Sequence, residues 1–314
     1  MTLSDFRKNT LSVLNNIITA NYILLDVPHY SNVGDVMLWE ATLQLLKKVP
    51  HRCLYSSSIE TYRKPRINKD TILLFSAGGN FGDLWERHQT FRHRVMEDFP
   101  NNPIVQLPQS VWFDNADKMQ ADITFWKQHK GRTTICLRDK QSYDIIRQNY
   151  TFDEVELLPD LALSLDIEHV MRRNRLSLQR SMGTLFLKRA DKESTYTAFD
   201  FSHDAEGDWP SMTHEIRLYR KYLNLLRKTD KLHISEKRKA QLTNLYYRYF
   251  LKDAYLRSGI RFLLPYHTIY TNRLHAAILG LLLGKEVRLI DNSYHKNEGI
   301  YRQWLEGHPN ISLV

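Results

Sequence analysis

The chain has 314 residues, 42% of them hydrophobic, and carries 44 Lys and Arg against 35 Asp and Glu, a formal charge of +9. That length suits two domains or one large one with sizeable cores, and the cationic excess favours an anionic partner: a phosphorylated metabolite, an anionic membrane surface or nucleic acid. No apolar run approaches the roughly 18 residues that span a bilayer, the start lacks the order of a signal peptide, and the two cysteines, Cys53 and Cys136, have no zinc or redox spacing. Both sit in apolar, strand-like segments and are read as buried, reduced thiols of a cytoplasmic protein.

Short apolar runs alternate with helix-period segments. "YILLDVP" (22–28) predicts a strand ended by Pro28. "DVMLWEATLQLLKKV" then predicts a helix, with acid in front and lysines behind to match its dipole. Strand-like "TILLFSAGG", a helix near 84–99, strand "PIVQLPQS", a helix near 116–129, strand "TTICLRD", helix "KQSYDIIRQN" and strand "VELLPD" follow. This rhythm predicts a parallel sheet covered by helices on both faces. It breaks after Asp160, and the basic stretch 166–182 is read as a linker. It resumes with strand "GTLFLKR", a helix over 214–228, strand "LHIS" (232–235), a long aromatic helical region (238–259), strand "FLLP" (262–265), strand "EVRLID" and helix "NEGIYRQWLE". The expectation is two Rossmann-like α/β domains, 1–165 and 183–314, facing each other across a cleft. Ligands of such folds bind beyond the carboxyl ends of the strands.

Two N-terminal loops echo one another. "SNVGDVMLWE" and "GNFGDLWE" share Asn, an apolar residue, Gly, Asp and a Trp-Glu pair, each read as following a strand and opening a helix. The glycines allow close backbone approach. The aspartates suit helix caps, with the N–H groups beyond them open to an anion or a hydroxyl. Turn-and-cap chemistry accounts for either loop alone; two at one end of a sheet point to a ligand surface. Asn32, Gly34, Asp35, Gly79, Asn80 and Asp83 are therefore candidates for binding an acceptor. Gln109 and Ser110, closing the next strand, join them as hydroxyl ligands. Neither loop is a Walker loop or a GxGxxG turn.

The second half offers cations. Lys188 and Arg189 leave a strand end, where arginine can take a carboxylate or phosphate bidentately. In "IYTNRLHAAILGLLLG" a cation and an imidazole, Arg273 and His275, stand where an apolar helix begins. If the helix already includes Leu274, the two side chains diverge by about 200°. A mixed junction with Thr271 or Asn272 as N-cap would let both meet one anion at the helix N-terminus. After the next strand, Asp291, Asn292, Ser293, His295 and Lys296 are either a polar loop with a capping Asn or a second side of that anion pocket.

These blocks, "NVGD", "GGNFGDLW", "PIVQLPQS", "LRDKQSY", "LLPDLAL" and "TNRLHAAILGLLLGKEVRLIDNSYHKNEGIYRQWL", resemble in their order the polysaccharide pyruvyl transferase family, over about residues 22–307. The C-terminal block is the most specific; 165–260 matches only in outline. The resemblance implies a GT-B-like fold with the site between two Rossmann-like domains. It implies transfer of a pyruvyl group from phosphoenolpyruvate to two hydroxyls of a sugar, often carried on a polyprenyl diphosphate, to give a cyclic ketal. The family's Arg-Leu-His motif falls on Arg273, Leu274 and His275, and its donor-binding arginine on Arg189.

The chemistry agrees with what the residues offer. Phosphoenolpyruvate is a carboxylate and a phosphate, so Arg189 and Arg273 would hold the donor with Leu274, His275, Asn292 and Lys296. Imidazole titrates near neutral pH, and His275 is the acid that protonates either the leaving phosphate or the methylene carbon. Asp35, Asp83, Asn80 and Gln109 are candidates to orient or deprotonate the acceptor, with Asp35 the catalytic choice. No metal and no cofactor beyond the co-substrate is expected. A lipid-linked acceptor would bring the enzyme to the inner membrane face, with Met171–Arg180 as the basic contact. The alternative is a GT-B glycosyltransferase using a nucleotide sugar, which would need a ribose-gripping carboxylate that is not evident. A nucleic-acid binder is disfavoured because the tyrosines fall in helical packing patterns.

Overall fold

The computed structural model describes residues 3–189, 201–228, 234–291 and 296–314. The chain divides into two compact units that interleave in sequence: 1–28 with 41–164, and 29–40 with 165–314. The basic stretch read as a linker lies in the second unit, and part of it is helix.

The first unit opens with α1 (Leu3–Ile17) and β1 (Tyr22–Leu25), followed by α2 (Val33–Leu46), whose last residues return to this unit. Next come β2 (Cys53–Ser57), β3 (Ile72–Phe75), β4 (Gly78–Gly82), α3 (Glu86–Asp98), β5 (Ile104–Trp112), α4 (Ala116–Trp126), β6 (Thr133–Leu137), α5 (Lys140–Asn149) and β7 (Glu154–Leu157). All pairings are parallel, in the order β2-β1-β3-β5-β6-β7, with β4 added against the far half of β5. Every residue of β1, β3 and β6 is buried, as a sheet covered on both faces requires. Asn115 and Asp139 cap α4 and α5, accepting from Lys118 N–H at 3.1 Å and Ser142 N–H at 2.8 Å. Cys136 is buried as expected, but Cys53 is exposed: it begins β2, an edge strand whose first two residues lie at the surface.

The second unit contains α6 (Ile167–Arg173), β8 (Thr184–Leu187), β9 (Ala205–Gly207), α7 (Thr213–Lys228), α8 (Glu236–Tyr246), a π-helical turn over Tyr247–Leu251, α9 (Lys252–Leu263), β10 (Thr268–Thr271), α10 (Leu274–Leu282), β11 (Glu286–Leu289), α11 (Lys296–Ile300) and β12 (Ile311–Leu313). Its strands also pair in parallel, in the order β12-β11-β10-β8-β9. Asp166 caps α6, and Val170 and Met171 bury its inner face, which is why the basic stretch folds as a helix there. The predicted strand at 262–265 is instead the end of α9 and the turn after it; a short apolar run does not distinguish a buried helix end from a strand. The first half of the predicted strand at 232–235 lies outside the described residues; Ile234 is not in a strand and Ser235 caps α8.

Both sheets have the doubly wound order in which the first strand sits between the second and the third. In each, connections leave in opposite directions from one point, and ligands of such sheets bind beyond the carboxyl ends there. That point lies between β1 and β3 in the first unit and between β8 and β10 in the second.

Candidate functional site

Beyond β8 and β10 the second unit gathers the residues singled out by their charge. Arg189 follows β8, and its N–H donates to the Asn272 side-chain oxygen at 2.8 Å. Asn272 is buried, and its carbonyl accepts from Asn297 Nδ2 at 2.9 Å, so α11 also braces the junction. Arg273 is extended (φ −98°, ψ 111°) and occupies the N-cap position of α10 itself. Neither Thr271 nor Asn272 is the cap: the Thr271 hydroxyl accepts from Arg273 N–H at 3.0 Å, and Asn272 is spent on Arg189. The helix thus begins at Leu274, and Arg273 and His275 leave the junction in different directions. The Arg273 guanidinium, 13% exposed, binds Asp208 bidentately, Nε and Nη2 each at 2.5 Å. Asp208 directly follows β9, so a strand that the sequence pattern does not predict supplies the group that fixes this arginine.

His275 faces a different neighbour. A methyl group at Gly34 would lie 2.4 Å from His275 Nδ1 and 2.8 Å from its Cβ. Gly34 is in the first turn of α2, and only the absence of a side chain admits the imidazole there. Asn32, not Asp35, caps this helix: its side-chain oxygen accepts from Gly34 N–H at 2.9 Å and Asp35 N–H at 3.4 Å. Asp35 is half-buried in the first turn. The first loop, assigned by its pattern to the N-terminal domain, therefore belongs beside His275 in the second unit.

The whole segment 29–40 is clasped there. His29 stacks on Tyr247 with centroids 4.1 Å apart, and Val33 packs against Gly259. Glu40 receives Lys252 and, at 2.8 Å, Arg173, which also binds Asp253 at 2.6 Å. Burial alone would raise the Glu40 pKa, but these two cations bring it below the usual carboxylate value. Arg173 and Arg172, which pairs with Glu168, are thereby drawn out of the Met171–Arg180 patch. Asn292 lies outside the described residues, as does the side chain of Lys296. Asp291 caps α11, accepting from Glu298 N–H at 3.0 Å.

The first unit builds its switch point differently. Asp26, 3% exposed in its side chain and held at φ +61°, ends β1. Its carboxylate meets His88 Nδ1 at 2.8 Å and Asn80 Nδ2 at 3.4 Å. A non-glycine residue in left-handed backbone beside a half-buried His is the kind of strain that folds retain at functional sites. Arg92, fully buried, secures the arrangement: it donates to Asn80 Oδ1, to the Asn80 carbonyl at 3.1 Å, to Gln106 at 2.9 Å and to Gln89 at 2.7 Å. Burial pushes its pKa down to about 10 against the raising effect of Asp26 and Asp122, so it remains a cation at neutral pH.

The sequence candidates of this unit divide accordingly. Asn80 lies in the cluster, next to Gly79 in β4. Gln109 is buried and bridges Asn80 N–H at 3.0 Å and the Ser76 carbonyl at 2.9 Å. Ser110 is buried too, donating to Asp139 at 2.6 Å and accepting from Arg138, itself paired with Asp160 at 2.5 Å. Both side chains serve the fold rather than face outward. Asp83 caps no helix of its own: α3 starts three residues later without a side-chain cap, and Asp83 accepts from the N–H groups of Asp114 and Asn115 at 2.9 Å each. The echo between the loops is thus local. Gly82 in the second loop is obligatory, because at φ +122° a Cβ would lie 1.8 Å from the Trp112 carbonyl oxygen. Beside it a cavity of about 340 Å³ opens between α3 and α4, lined by Asp83, Glu86, His93, Phe113 and Phe125 among others.

Comparison with known proteins decides the family: the profile described as polysaccharide pyruvyl transferase matches residues 32–294. The chain belongs to the polysaccharide pyruvyl transferase family. It is 29% identical to a Bacillus subtilis protein provisionally named pyruvyl transferase EpsO, over 98% of this chain and 93% of that one. It is 25% identical to pyruvyl transferase 1 of Schizosaccharomyces pombe, over 90% of this chain and 69% of the relative. The fold matches the crystal structure of an uncharacterized Klebsiella pneumoniae protein, with TM-score 0.66, 22% identity, and coverage of 100% of this chain and 99% of the other.

For this pyruvyltransferase, sequence reasoning missed Asp26, His88, Arg92 and Asp208. A signal existed for Arg92. It falls in the buried stripe of α3 with Gln89 and Met96, where the pattern otherwise demands apolar residues. Among the described residues no helix is long and apolar enough to cross a membrane.

Proposed function

We propose that this pyruvyltransferase takes its pyruvyl group from phosphoenolpyruvate and places it on two hydroxyls of a polyprenyl-diphosphate-linked sugar, forming a cyclic ketal during surface polysaccharide synthesis. The observation that carries this reading is that Arg189, Arg273 and His275 all stand just past the carboxyl ends of the adjacent strands β8 and β10, with the Arg189 N–H tied to Asn272, Arg273 held by Asp208 and His275 set against Gly34. Two arginines suit a donor with two anionic groups, and the helix N-terminus at Leu274 adds exposed N–H groups and a favourable dipole. The family supports the GT-B-like arrangement, with this unit binding the donor and the first unit the acceptor.

In the reaction a proton adds to the methylene carbon, C2 becomes oxocarbenium-like, and a sugar hydroxyl forms the first C2–O bond. The bond from C2 to the phosphate oxygen breaks, and the second hydroxyl closes the ring. Of the two hydroxyl protons displaced, one is balanced by the new methyl group and the other leaves with inorganic phosphate. His275 donates a proton, either to the methylene carbon or to the departing phosphate. Arg273, oriented by Asp208, and Arg189 neutralise the donor. On the acceptor side the Asp26–His88 pair, steadied by Asn80 and Arg92, is better built to take a hydroxyl proton than Asp83, whose oxygens are engaged by backbone amides. Asp35 stays with His275 on the donor side. The carboxylates and aromatic faces of the α3–α4 cavity suit further sugar residues of the acceptor.

The test is mass spectrometry of lipid-linked saccharides incubated with phosphoenolpyruvate. A product heavier by one pyruvate less one water, formed with stoichiometric phosphate, is expected. A nucleotide-sugar reading is not favoured by the family. Protection against heating by UDP- or GDP-sugars but not by phosphoenolpyruvate would revive it and overturn this proposal.

A further inference from the structure

We propose that α7, α8 and the π-helical turn after α8 form a docking face for an anionic lipid bilayer. The two helices are joined through tyrosines: Tyr222 stacks on Tyr246 at 4.2 Å, and Tyr219 meets Tyr247 edge-on at 4.9 Å. That pairing leaves large apolar side chains outside. Leu218 and Leu225 on α7, Leu242 and Leu245 on α8, and Tyr249 and Phe250 on the turn are all exposed, Leu225 at 63% and Phe250 at 65%. They recur at helical spacing, seven apart on α7 and at 242, 245 and 249 along the second segment, so each helix presents a stripe rather than scattered residues.

Charge identifies the occupant. Residues 213–228 and 236–251 hold nine Lys and Arg against two Asp and Glu, so these two segments carry +7 of the whole chain's +9. Arg217, Arg220, Lys221, Lys237 and Arg238 are exposed beside the apolar stripes. A helix pair with leucine and aromatic residues flanked by cations is the composition of a segment that lies in the interfacial plane of anionic lipid. Tyrosine and phenylalanine belong at headgroup depth, and long basic side chains reach phosphates while their stems cover apolar surface. A merely solvated basic face would not present six large apolar side chains. By contrast, Met171–Arg180 has its arginines 172 and 173 paired with acids.

The purpose of such a face rests on the lipid-linked acceptor reading, but the binding is measured without it. The full-length protein is sedimented with phosphatidylcholine vesicles with and without phosphatidylglycerol, at physiological salt. It is expected to pellet only with the anionic vesicles. Lys221→Glu with Arg238→Glu, and separately Leu225→Ser with Phe250→Ser, are expected to lower the bound fraction at least tenfold. Both double variants keep the wild-type melting profile and kcat/KM on a lipid-free, water-soluble acceptor. Wild-type protein that stays in the supernatant overturns the proposal, as do folded variants that bind like wild type. So does a homodimer, or an oligonucleotide complex, that these variants dissolve while no vesicle is bound. Vesicle binding together with failure to modify any lipid-linked sugar would leave the docking face standing and remove the acceptor assignment.

Discussion

The two sheets share one strand order yet dress their switch points in opposite ways. In the first unit Asp26, His88 and Asn80 are knitted to a fully buried arginine and two glutamines by a dense set of side-chain hydrogen bonds. In the second, cations stand at strand and helix ends, Arg189 on a buried asparagine and Arg273 on Asp208. One scaffold thus offers an acid–imidazole corner suited to hydroxyls, and a cationic corner suited to a small molecule with two anionic groups. The difference lies in the loops beyond the strands, and on the proposed reading it is a division of labour between donor and acceptor.

The sharpest way to break this contrast is at the cationic corner. His275→Ala or Arg273→Ala should lower turnover by about a hundred- to ten-thousand-fold with an unchanged melting profile, measured as phosphate release. Near-normal turnover in either would remove that residue from the chemistry. Arg189→Ala should act on the donor: a charge-assisted hydrogen bond is worth about 1.5–3 kcal/mol, so KM for phosphoenolpyruvate should rise roughly ten- to a hundredfold while the acceptor KM holds. His88→Ala should do the converse at the other corner, lowering kcat about tenfold or more with the donor KM unchanged. A rise in donor KM there would collapse the proposed division. Gly34→Ala tests the contact with His275 directly. The added methyl forces the imidazole aside, and overpacking costs about 1–3 kcal/mol; kcat should fall and the melting temperature drop by a few degrees. A crystal structure with His275 unmoved would show the contact to be inconsequential.

A last effect leaves turnover aside and concerns stability against pH. His29 is buried, and burial holds its pKa down to about 3. The unfolded chain takes up that proton near pH 6.5 and the folded protein does not, so stability is lost as pH falls from about 6.5 towards 3, by at most about 1.4 kcal/mol per unit. His29→Phe should flatten that part of the profile. An unchanged slope would mean that other groups set it.

Much of this was legible in the chain. The α/β rhythm was visible because parallel strands buried on both faces are unbroken apolar runs, as in "YILL" and "ILLF", and helices between them carry caps such as Asp139. The Arg-Leu-His junction was legible as charge in an apolar context. What was hidden depends on contacts distant in sequence. Asp26 falls inside "YILLDVP", read as a strand, although β1 stops at Leu25 and Asp26 turns left-handed, and His88 reads as part of a polar helix face. Asp208 follows a three-residue strand too short to leave a pattern. Gln109 and Ser110 looked like strand-end ligands, but β5 runs on to Trp112 and neighbouring segments bury both side chains, which the local pattern does not reveal.

The membership of residues 29–40 in the second unit bears on synthesis. On the ribosome the segment emerges more than two hundred residues before α10, whose histidine needs Gly34, so it must wait while most of the chain is made. A fragment beginning at residue 165 would lack His29, Glu40 and Gly34, which meet Tyr247, Lys252 and His275 in the whole protein. Halves of this protein split at that apparent boundary should therefore be poor folders alone, and a chaperone that shields the early segment would act before any catalytic corner exists.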